Sequence, residues 1–502
     1  MLEPLSPECF TREAAAHLLN RAGFGGTPAD VERLFVLGLR GAVDSLVAYE
    51  RVPEAVPDPA WSVPDPAEVA RVRGAKLLPD EQKRPLLQEI RKTHQRRSLE
   101  LHQWWLERMR TTARPLQEKM TLFWHSLFAT SIVKMPLRNP LPMWRQNQTF
   151  RSLATGNWPE LLVAMGRDPA MLFWLDGVTN RAAHPNENFA REVMELFTLG
   201  EGNYTEQDVK EAARAFTGWA ADPLTAEFTP RRPIQHDGGP KVILGQSGNF
   251  TGEDVLRLLG RQPRSAHYVS ERLWRYFGSE EPNPALAGAL ADRFQQGGLE
   301  FKPLLSTLFL SQEFYAPEVM RRQVKGPVQW LVGACRALER PLPPPALTFQ
   351  MMRMLGQVVF APPSVKGWDT GVSWISTNTL LDRYNFSAFL VQGEPLGLPN
   401  AGKARQAARE MAKPGAMPAA APLAAAPPVH FAPVDAERLF TPEERADDGR
   451  LLAALERRMI EASLGEARRQ SLRQYLQAEK ENPDRVRGAL RLLMSTPDYQ
   501  LT

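Results

Sequence analysis

The chain has 502 residues, of which 43% are hydrophobic and 24% are charged, and its formal net charge is +4. This composition is typical of a globular protein, and the dispersed basic residues favour solvated helices over a nucleic-acid groove. No run of eighteen apolar residues is present, so no membrane span is expected. Cys9 and Cys335 are too far apart in sequence to suggest a disulfide framework or a thiolate metal site, which suits a reducing compartment.

The first residues, "MLEPLSPECFTREAAAHLL", place acids at Glu3 and Glu8 and have no basic region before an apolar core. A secretory signal has the opposite arrangement. We therefore expect a cytoplasmic protein, or a chain that has already been processed.

Helix signals dominate the first two hundred or so residues. Thr27, Pro28 and Asp30 stand at the N-cap, N1 and N3 positions of a predicted helix. A loop with several prolines follows over residues 51–66. Long amphipathic helices are then predicted over about 82–112 and 115–130.

The evidence for strands is limited to residues 227–250, where short apolar alternation around Gly238 and Gly239 predicts one small hairpin. Helical patterns resume at Thr251, which has Asp254 three residues later as in a capping box. Residues 401–434 are rich in alanine and proline without periodicity and are expected to be an extended, mobile linker. The predicted fold class is mainly α: a large multi-helix single fold over 1–400 with a small β-hairpin insert, followed by a C-terminal helical segment over 435–502 that packs on it.

The stretch "NENFAREVMELFTLGEGNYTEQDVKEAARAFTGW", residues 186–219, concentrates polar and charged side chains. At helical spacing its apolar residues share one face, and the opposite face carries Glu187, Asn188, Arg191, Glu192 and Glu195. Surface ion pairs at i,i+4 spacing explain these charges as well as a catalytic face does. Spacing alone favours the solvated surface.

Two histidines are candidate acid/base residues. His125 follows Trp124 in an apolar helical run, where a histidine is more often a hydrogen-bonded core residue than a catalytic base. His236 and Asp237 precede two glycines, a pattern that fits an acid/base element and a tight turn equally well.

Residues 361–381, "APPSVKGWDTGVSWISTNTLL", form a long loop that leads into a helix. Its two tryptophans could form an aromatic platform with polar neighbours, or could anchor the loop to the core. The candidate binding residues are Lys366, Trp368, Asp369, Trp374 and Asn378, together with Trp124 beside His125.

Six motifs occur in one order: "HLLNRAGFGGTPADVERL", "LFWHSLFATS", the 186–219 stretch, "HDGGPKVILGQSGNF", "LGQVVFAPPSVKGW" and "WISTNTLL". Together they resemble the bacterial family called domain of unknown function 1800, from about residue 11 to the C-terminus. The resemblance implies no established activity. Many relatives carry an export signal, so export is the alternative location, and many are encoded beside a family related to sulfatases, which is a candidate partner.

Two departures from the family pattern concern metal chemistry. Many relatives have histidine where this chain has Leu127, and some have histidine where it has Phe197. These departures argue against a metal enzyme, and no metal ligand is predicted; the cofactor is unknown. The resemblance favours Asn186, Asn188 and Arg191 as part of a polar site.

Two functions follow as expectations. The first is an acid/base enzyme, hydrolase-like, that acts on a glycan or another polar polymer through Glu187, Glu192 or Glu195 with His125, His236 and Asp237. The second is a non-catalytic envelope or assembly protein that binds a partner through the tryptophan-rich loop. Convergence of these motifs on one cavity would favour the enzyme.

Overall fold

The computed structural model describes residues 1–54, 56–230, 233–393 and 431–502. Helices dominate these residues, as predicted, and the strands form short antiparallel pairs. Of the predicted linker over 401–434, residues 401–430 lie outside the described residues.

The α-helices before residue 230 are α1 (Arg12–Arg21), α2 (Pro28–Val36), α3 (Gly38–Val47), α4 (Pro66–Gly74), α5 (Asp80–Thr111), α6 (Pro115–Leu127), α7 (Leu141–Ser152), α8 (Trp158–Gly166), α9 (Pro169–Trp174), α10 (Asn188–Glu192) and α11 (Glu206–Ala215).

The α-helices after residue 233 are α12 (Gly252–Gly260), α13 (Pro263–Phe277), α14 (Pro284–Gln296), α15 (Phe301–Leu310), α16 (Pro327–Ala337), α17 (Pro345–Leu355), α18 (Thr377–Gln392), α19 (Ala436–Leu439), α20 (Pro442–Ala446), α21 (Asp448–Met459), α22 (Glu466–Ala478) and α23 (Arg485–Met494).

Capping boxes start five of the described helices, α2, α11 and α12 among them. Thr27, Thr205 and Thr251 each accept a hydrogen bond from the backbone N–H three residues later. The aspartate at that later position accepts a hydrogen bond from the backbone N–H of the threonine. Such caps satisfy N–H groups that have no partner within the helix. The sequence predicts all three starts.

The strands are β1 (Ala220–Ala221) with β2 (Phe228–Thr229), and β3 (Lys241–Ile243) with β4 (Gln246–Gly248). The hairpin turn lies at Leu244 and Gly245, which both have positive φ (48° and 76°), and not at Gly238 and Gly239. Positive φ at both central residues matches the twist of a two-residue hairpin loop. A leucine in this conformation is uncommon, which is why the sequence pointed to the paired glycines.

The 186–219 stretch does not form one regular helix at its start. The α-helix α10 ends at Glu192 and a π-helix covers Val193–Thr198. The wider turn shifts the faces by about one residue relative to an α-helix. This shift places Glu192 and Glu195 differently from the simple helical projection.

Buried apolar side chains form two clusters. The first core includes Leu18, Met120 and Phe277. The second core includes Leu122 and Trp330, together with side chains from α21 and α23. Helix α6 therefore contributes to both cores, and the C-terminal helices pack against α16 and α18. We call the boundary between the two cores the seam.

No described helix is both long enough and apolar enough to span a bilayer.

Candidate functional site

Three adjoining cavities lie along the seam. An inner cavity of about 110 Å³ shares Glu280, Gln323 and Val324 with an outer vestibule of about 340 Å³. It shares Lys325 and Gln329 with a rear cavity of about 50 Å³. Boundaries between packed units are common places for ligand sites, and the vestibule has the size of a small-molecule pocket.

The inner cavity is lined by three cations. Arg21, in the last turn of α1, is only 1% exposed. Its Nε donates to the carbonyl oxygen of Phe277 at 2.7 Å, and its terminal nitrogens donate to the Gly278 carbonyl and to the Gln323 side chain. Burial lowers the pKa of Arg21 to about 9, and the charge of Glu280 opposes this shift.

Lys119, on α6, is 8% exposed. Its Nζ donates to Oε1 of Gln329 at 2.5 Å and lies over the rings of Phe24 and Tyr276, 5.1 and 5.6 Å from their centroids. Burial lowers the pKa of Lys119 well below its ordinary value, and nearby Arg21 lowers it further. Within the described residues, Lys119 forms no ion pair with a carboxylate.

Lys325 separates the inner and rear cavities. Its backbone is held by Arg383, which donates to the Lys325 carbonyl at 2.8 Å, and by a 2.8 Å hydrogen bond from the Lys325 N–H to the Gln500 carbonyl. Its ammonium lies 4.0 Å from the ring centroid of Tyr499. Burial of the charge lowers the pKa of Lys325 to about 8, and Glu461 opposes the shift.

Glu461 lines the rear cavity and has positive φ (60°). Asn20 donates a hydrogen bond to its carboxylate, but Lys325 and Glu461 do not form a direct ion pair. Burial raises the pKa of Glu461 to about 7, while Lys325 opposes this shift. His17 also lines this cavity; because its Nε2 donates to the Phe314 carbonyl at 3.0 Å, its unpartnered Nδ1 carries the lone pair.

The tryptophan loop, residues 361–376, forms one wall of the inner cavity through Trp368 and Trp374. Gly371 has φ of 64°, and a Cβ at this position would lie 1.6 Å from Oε2 of Glu280. A side chain at this position would therefore adopt a strained backbone conformation and would displace the Glu280 carboxylate. Burial raises the pKa of Glu280, and Arg21 opposes the shift.

His125 lies outside these cavities, in an aromatic environment. It is 1% exposed, its Nε2 accepts a 2.8 Å hydrogen bond from the Phe360 N–H, and its ring centroid is 5.3 Å from that of Trp368. Burial lowers its pKa to about 3. Trp124 is fully buried and donates to the Ala154 carbonyl at 2.9 Å. Both environments are those of core residues.

The asparagines and Arg191 of the 186–219 stretch have local partners. The Asn186 side chain donates to Thr179, and that of Asn188 donates to the Leu175 carbonyl at 3.1 Å. Arg191 forms two 2.7 Å hydrogen bonds with Glu206 and a weaker pair with Glu187 at 3.3 Å. These contacts fix the segment that leads into α10 and the side chains on the exposed face of this helix.

Glu192 and Glu195 form a half-buried acidic pair. Tyr204 donates to Glu195 at 2.9 Å. Burial raises the pKa of Glu192, the charge of Glu195 raises it further, and Lys366 of the tryptophan loop opposes the shift. The structure therefore brings the tryptophan loop near both the His125 helix and this acidic pair.

His236 and Asp237 lie elsewhere. Nδ1 of His236 donates to the Thr217 carbonyl at 2.9 Å, and Asp237 pairs with Arg214 at 2.7 Å. The hydrogen bond from Arg214 lowers the pKa of Asp237. No described contact joins them to His125, Glu192 or Glu195, so the predicted convergence of all four motifs is not seen. Asp369 and Asn378 are exposed.

Glu118, two turns before His125, belongs to a separate buried cluster. Arg108 donates to it at 2.5 Å, Arg151 at 2.6 Å and Trp105 at 2.9 Å. Burial would raise the pKa of Glu118, but Arg151 and Arg108 outweigh burial and lower it. A buried carboxylate with this many donors is held as a structural anion.

Nowhere in the described part of the chain do three or more His, Cys, Asp or Glu side chains come together in a way that could hold a metal ion.

The sequence did not identify the cavity cations as candidate site residues. Lys119 is a single lysine in a helix-like pattern, and Lys325 stands in an irregular segment just before Gly326 and Pro327; a lysine in either context normally faces solvent. Their burial depends on long-range packing across the seam.

Comparison with known proteins gives one match. A family described as "Protein of unknown function (DUF1800)" matches residues 17–501, nearly the whole chain. No curated protein and no solved structure matches.

Proposed function

We propose an enzymatic function for this chain, which belongs to the DUF1800 family of proteins of unknown function. It is a hydrolase-like acid/base enzyme that acts on a glycan or another polar polymer in the inner cavity. The observation that carries the proposal is that Glu280 and Lys325 line the same cavity with pKa values shifted towards each other. Pairs of this kind identify acid and base in many active sites.

Burial raises the pKa of Glu280 and lowers that of Lys325 to about 8, so the acid form of Glu280 and the amine form of Lys325 are both more populated near neutral pH than in ordinary residues. In hydrolysis of a glycosidic bond, the Lys325 amine takes a proton from water as the water oxygen bonds to the anomeric carbon. Glu280 gives its proton to the departing sugar oxygen as the carbon–oxygen bond breaks. Glu461, behind Lys325, adjusts the pKa of the amine through its charge.

The wall of the cavity suits a sugar. Trp368 and Trp374 offer apolar ring faces beside polar groups. Lys366 of the same loop, and Glu192 and Glu195 of α10 and the π-helix near it, are proposed contacts for a longer polymer. The candidate catalytic residues therefore move from the 186–219 stretch to the seam.

The test compares Glu280→Gln with Glu281→Gln. Glu281 is the adjacent, exposed carboxylate and lines only the vestibule. On a panel of neutral, carboxylated and sulfated polysaccharides, release of reducing ends by the wild type is expected. Glu280→Gln should lower it by about 10²-fold or more, as for loss of a general acid, and Glu281→Gln should leave it nearly unchanged. Equal rates for the two variants would remove Glu280 from the mechanism.

A second function has its own supporting observation. Val372 is 78% exposed and Leu381 58% exposed, with Leu380 and Tyr384 on the same side of α18. Exposed apolar side chains grouped in this way are typical of a protein-binding surface. The proposed partner is the sulfatase-related protein encoded beside many relatives. Size-exclusion chromatography of the two purified proteins should give a complex that Leu381→Lys abolishes, and two separate peaks with the wild type would contradict this function.

A further inference from the structure

The charges around the inner cavity do not balance. Arg21, Lys119 and Lys325 line it, and the described acidic groups that line it are the Glu280 side chain and the terminal carboxylate of the last residue, Thr502. Neither Arg21 nor Lys119 forms a direct ion pair with a carboxylate in that part of the chain. Buried cations are normally paired, because an unpaired charge away from water is costly.

Lys119 is the clearest case. An ammonium group has three donors, and the described contacts of Lys119 use one of them, on the neutral amide of Gln329. Gln329 is itself held in place, because its Nε2 donates to the Asn20 carbonyl at 3.3 Å. The remaining donors of Lys119 belong to a side chain that lines the inner cavity.

Arg21 presents the second cation from a fixed position. Three of its five N–H groups are used by acceptors on α13, on the residue after it, and on Gln323. Gln323 is fixed in turn by its 2.9 Å hydrogen bond to the Arg275 carbonyl. A rigid guanidinium beside an ammonium is the arrangement that binds carboxylate, sulfate and phosphate groups.

We propose that Arg21 and Lys119 form a subsite for an oxyanion group, a carboxylate, sulfate or phosphate, carried by the ligand of the inner cavity. This inference rests on the proposed function for the rest of the ligand, but anion binding needs no turnover. The inner cavity, about 110 Å³, has room for such a group, since one water needs only about 10–15 Å³ by a comparable measure. The vestibule carries Glu280, Glu281 and Glu318 against Arg322, so the attraction acts inside the cavity and not at its mouth.

The subsite also explains how an unpaired lysine is tolerated. Without a ligand, Lys119 can lose its proton and remain a neutral amine beside Gln329. An arriving oxyanion restores the charge and uses the free donors. The other titratable groups around the same cavity are Arg21, Tyr276, Glu280, Lys325 and the terminal carboxylate of Thr502.

The experiment measures binding of inorganic sulfate to the full chain by calorimetry, with ionic strength held constant by chloride. The variants are Lys119→Met and, as a matched control, Lys92→Met, an exposed lysine on α5. Sulfate also stabilises proteins generally by exclusion from their surfaces, and the control carries that effect equally. We expect the wild type and Lys92→Met to bind sulfate, and Lys119→Met to bind it on the order of tenfold more weakly or worse.

Thermal unfolding separates the subsite from a structural role. Methionine fills a similar volume without a buried charge, so Lys119→Met should be as stable as the wild type or more stable. No sulfate or phosphate binding by the wild type, or equal binding by Lys119→Met and Lys92→Met, would overturn the inference.

A comparison of two ligands shows whether the anion binds free or as part of a sugar. Tighter binding of a sulfated monosaccharide than of inorganic sulfate supports an oxyanion carried by a sugar, and equal binding supports a subsite for the free anion. The inference and the proposed function can fail separately. Sulfate binding lost in Lys119→Met, with equal turnover by Glu280→Gln and Glu281→Gln, would leave the subsite in place and reject the acid/base mechanism.

Discussion

At the scale of single residues, burial decides which titratable groups can act in chemistry. His125 and Lys325 show the contrast. His125 is enclosed by aromatic rings and hydrogen-bonded to backbone, so its lone pair is already used. Lys325 is half-buried and its charged end faces two cavities. Cavity access therefore distinguishes a candidate base from a core residue with an equally shifted pKa.

His102 provides a test of the cost of buried histidines. It is 2% exposed, and neither ring nitrogen has a hydrogen-bond partner among the described residues. Burial lowers its pKa to about 3. The unfolded state, with a pKa of about 6.5, binds more protons between these values, so stability present above about pH 6.5 is lost as the pH falls towards 3.

We therefore expect His102→Leu to raise the free energy of unfolding by about 1–3 kcal/mol at pH 7, because two unsatisfied polar atoms are removed. The gain should increase by up to about 1.4 kcal/mol per pH unit below pH 6. Urea unfolding at several pH values measures both effects. His184→Leu, at an exposed position, is the control; a gain that does not depend on pH would contradict the assigned titration.

Among the helices, turns and loops, the sequence predicted those features that depend on residues close together in the chain. The capping boxes at Thr27, Thr205 and Thr251 and the long helix α5 follow from residue types at fixed spacings, and the tryptophan loop follows from its prolines and glycines. The π-helix and the hairpin turn were not predicted, because a wider turn and a leucine with positive φ are imposed by surrounding packing. The site lysines were missed for the same reason: a lone lysine indicates a solvent-exposed position unless distant elements enclose it.

The tryptophan loop gives an element-scale prediction through Gly371. Gly371→Ala adds both the cost of positive φ and a clash with Glu280, whereas Gly298→Ala adds the φ cost alone, since Gly298 has φ of 71° and no atom near its would-be Cβ. We expect Gly298→Ala to cost about 1–2 kcal/mol and Gly371→Ala to cost a further 0.5–1.5 kcal/mol or so, because the Glu280 side chain must rotate away. Chemical denaturation measures the difference.

Only the Gly371 substitution should also reduce turnover, because it displaces Glu280. Equal stabilities for the two variants would show that the loop does not close on this carboxylate.

At the scale of the whole molecule, the seam between the two cores positions the site. Arg21, Lys119 and Tyr276 come from elements of the first core, and Gln329 comes from α16 of the second. Residues 323–325 cross between them and are paired with residues 500–502 by backbone hydrogen bonds. Residues from the start, middle and end of the chain thus meet at one place, which no local pattern could reveal.

Arg383 links the segment 323–325 to the segment 500–502, because it donates both to the Lys325 carbonyl and, at 2.9 Å, to the Gln500 side chain. Arg383→Met should increase amide hydrogen exchange at residues 323–325 and 500–502, because the pairing loses its clamp. Arg261→Met, at an exposed arginine, should leave exchange unchanged. Unchanged protection in Arg383→Met would mean that the backbone pairing alone maintains the seam.

The proposed mechanism requires that the inner cavity holds an amine able to act as a base near neutral pH. The pH dependence of Lys325 acetylation by limiting acetic anhydride, followed by peptide mass spectrometry against an added reference peptide, measures this property. We expect a midpoint for Lys325 at about pH 8, and a lower midpoint in Glu461→Gln, which removes the charge that raises the Lys325 pKa. A midpoint near about 10.4, the value of an ordinary lysine, would rule out Lys325 as the base.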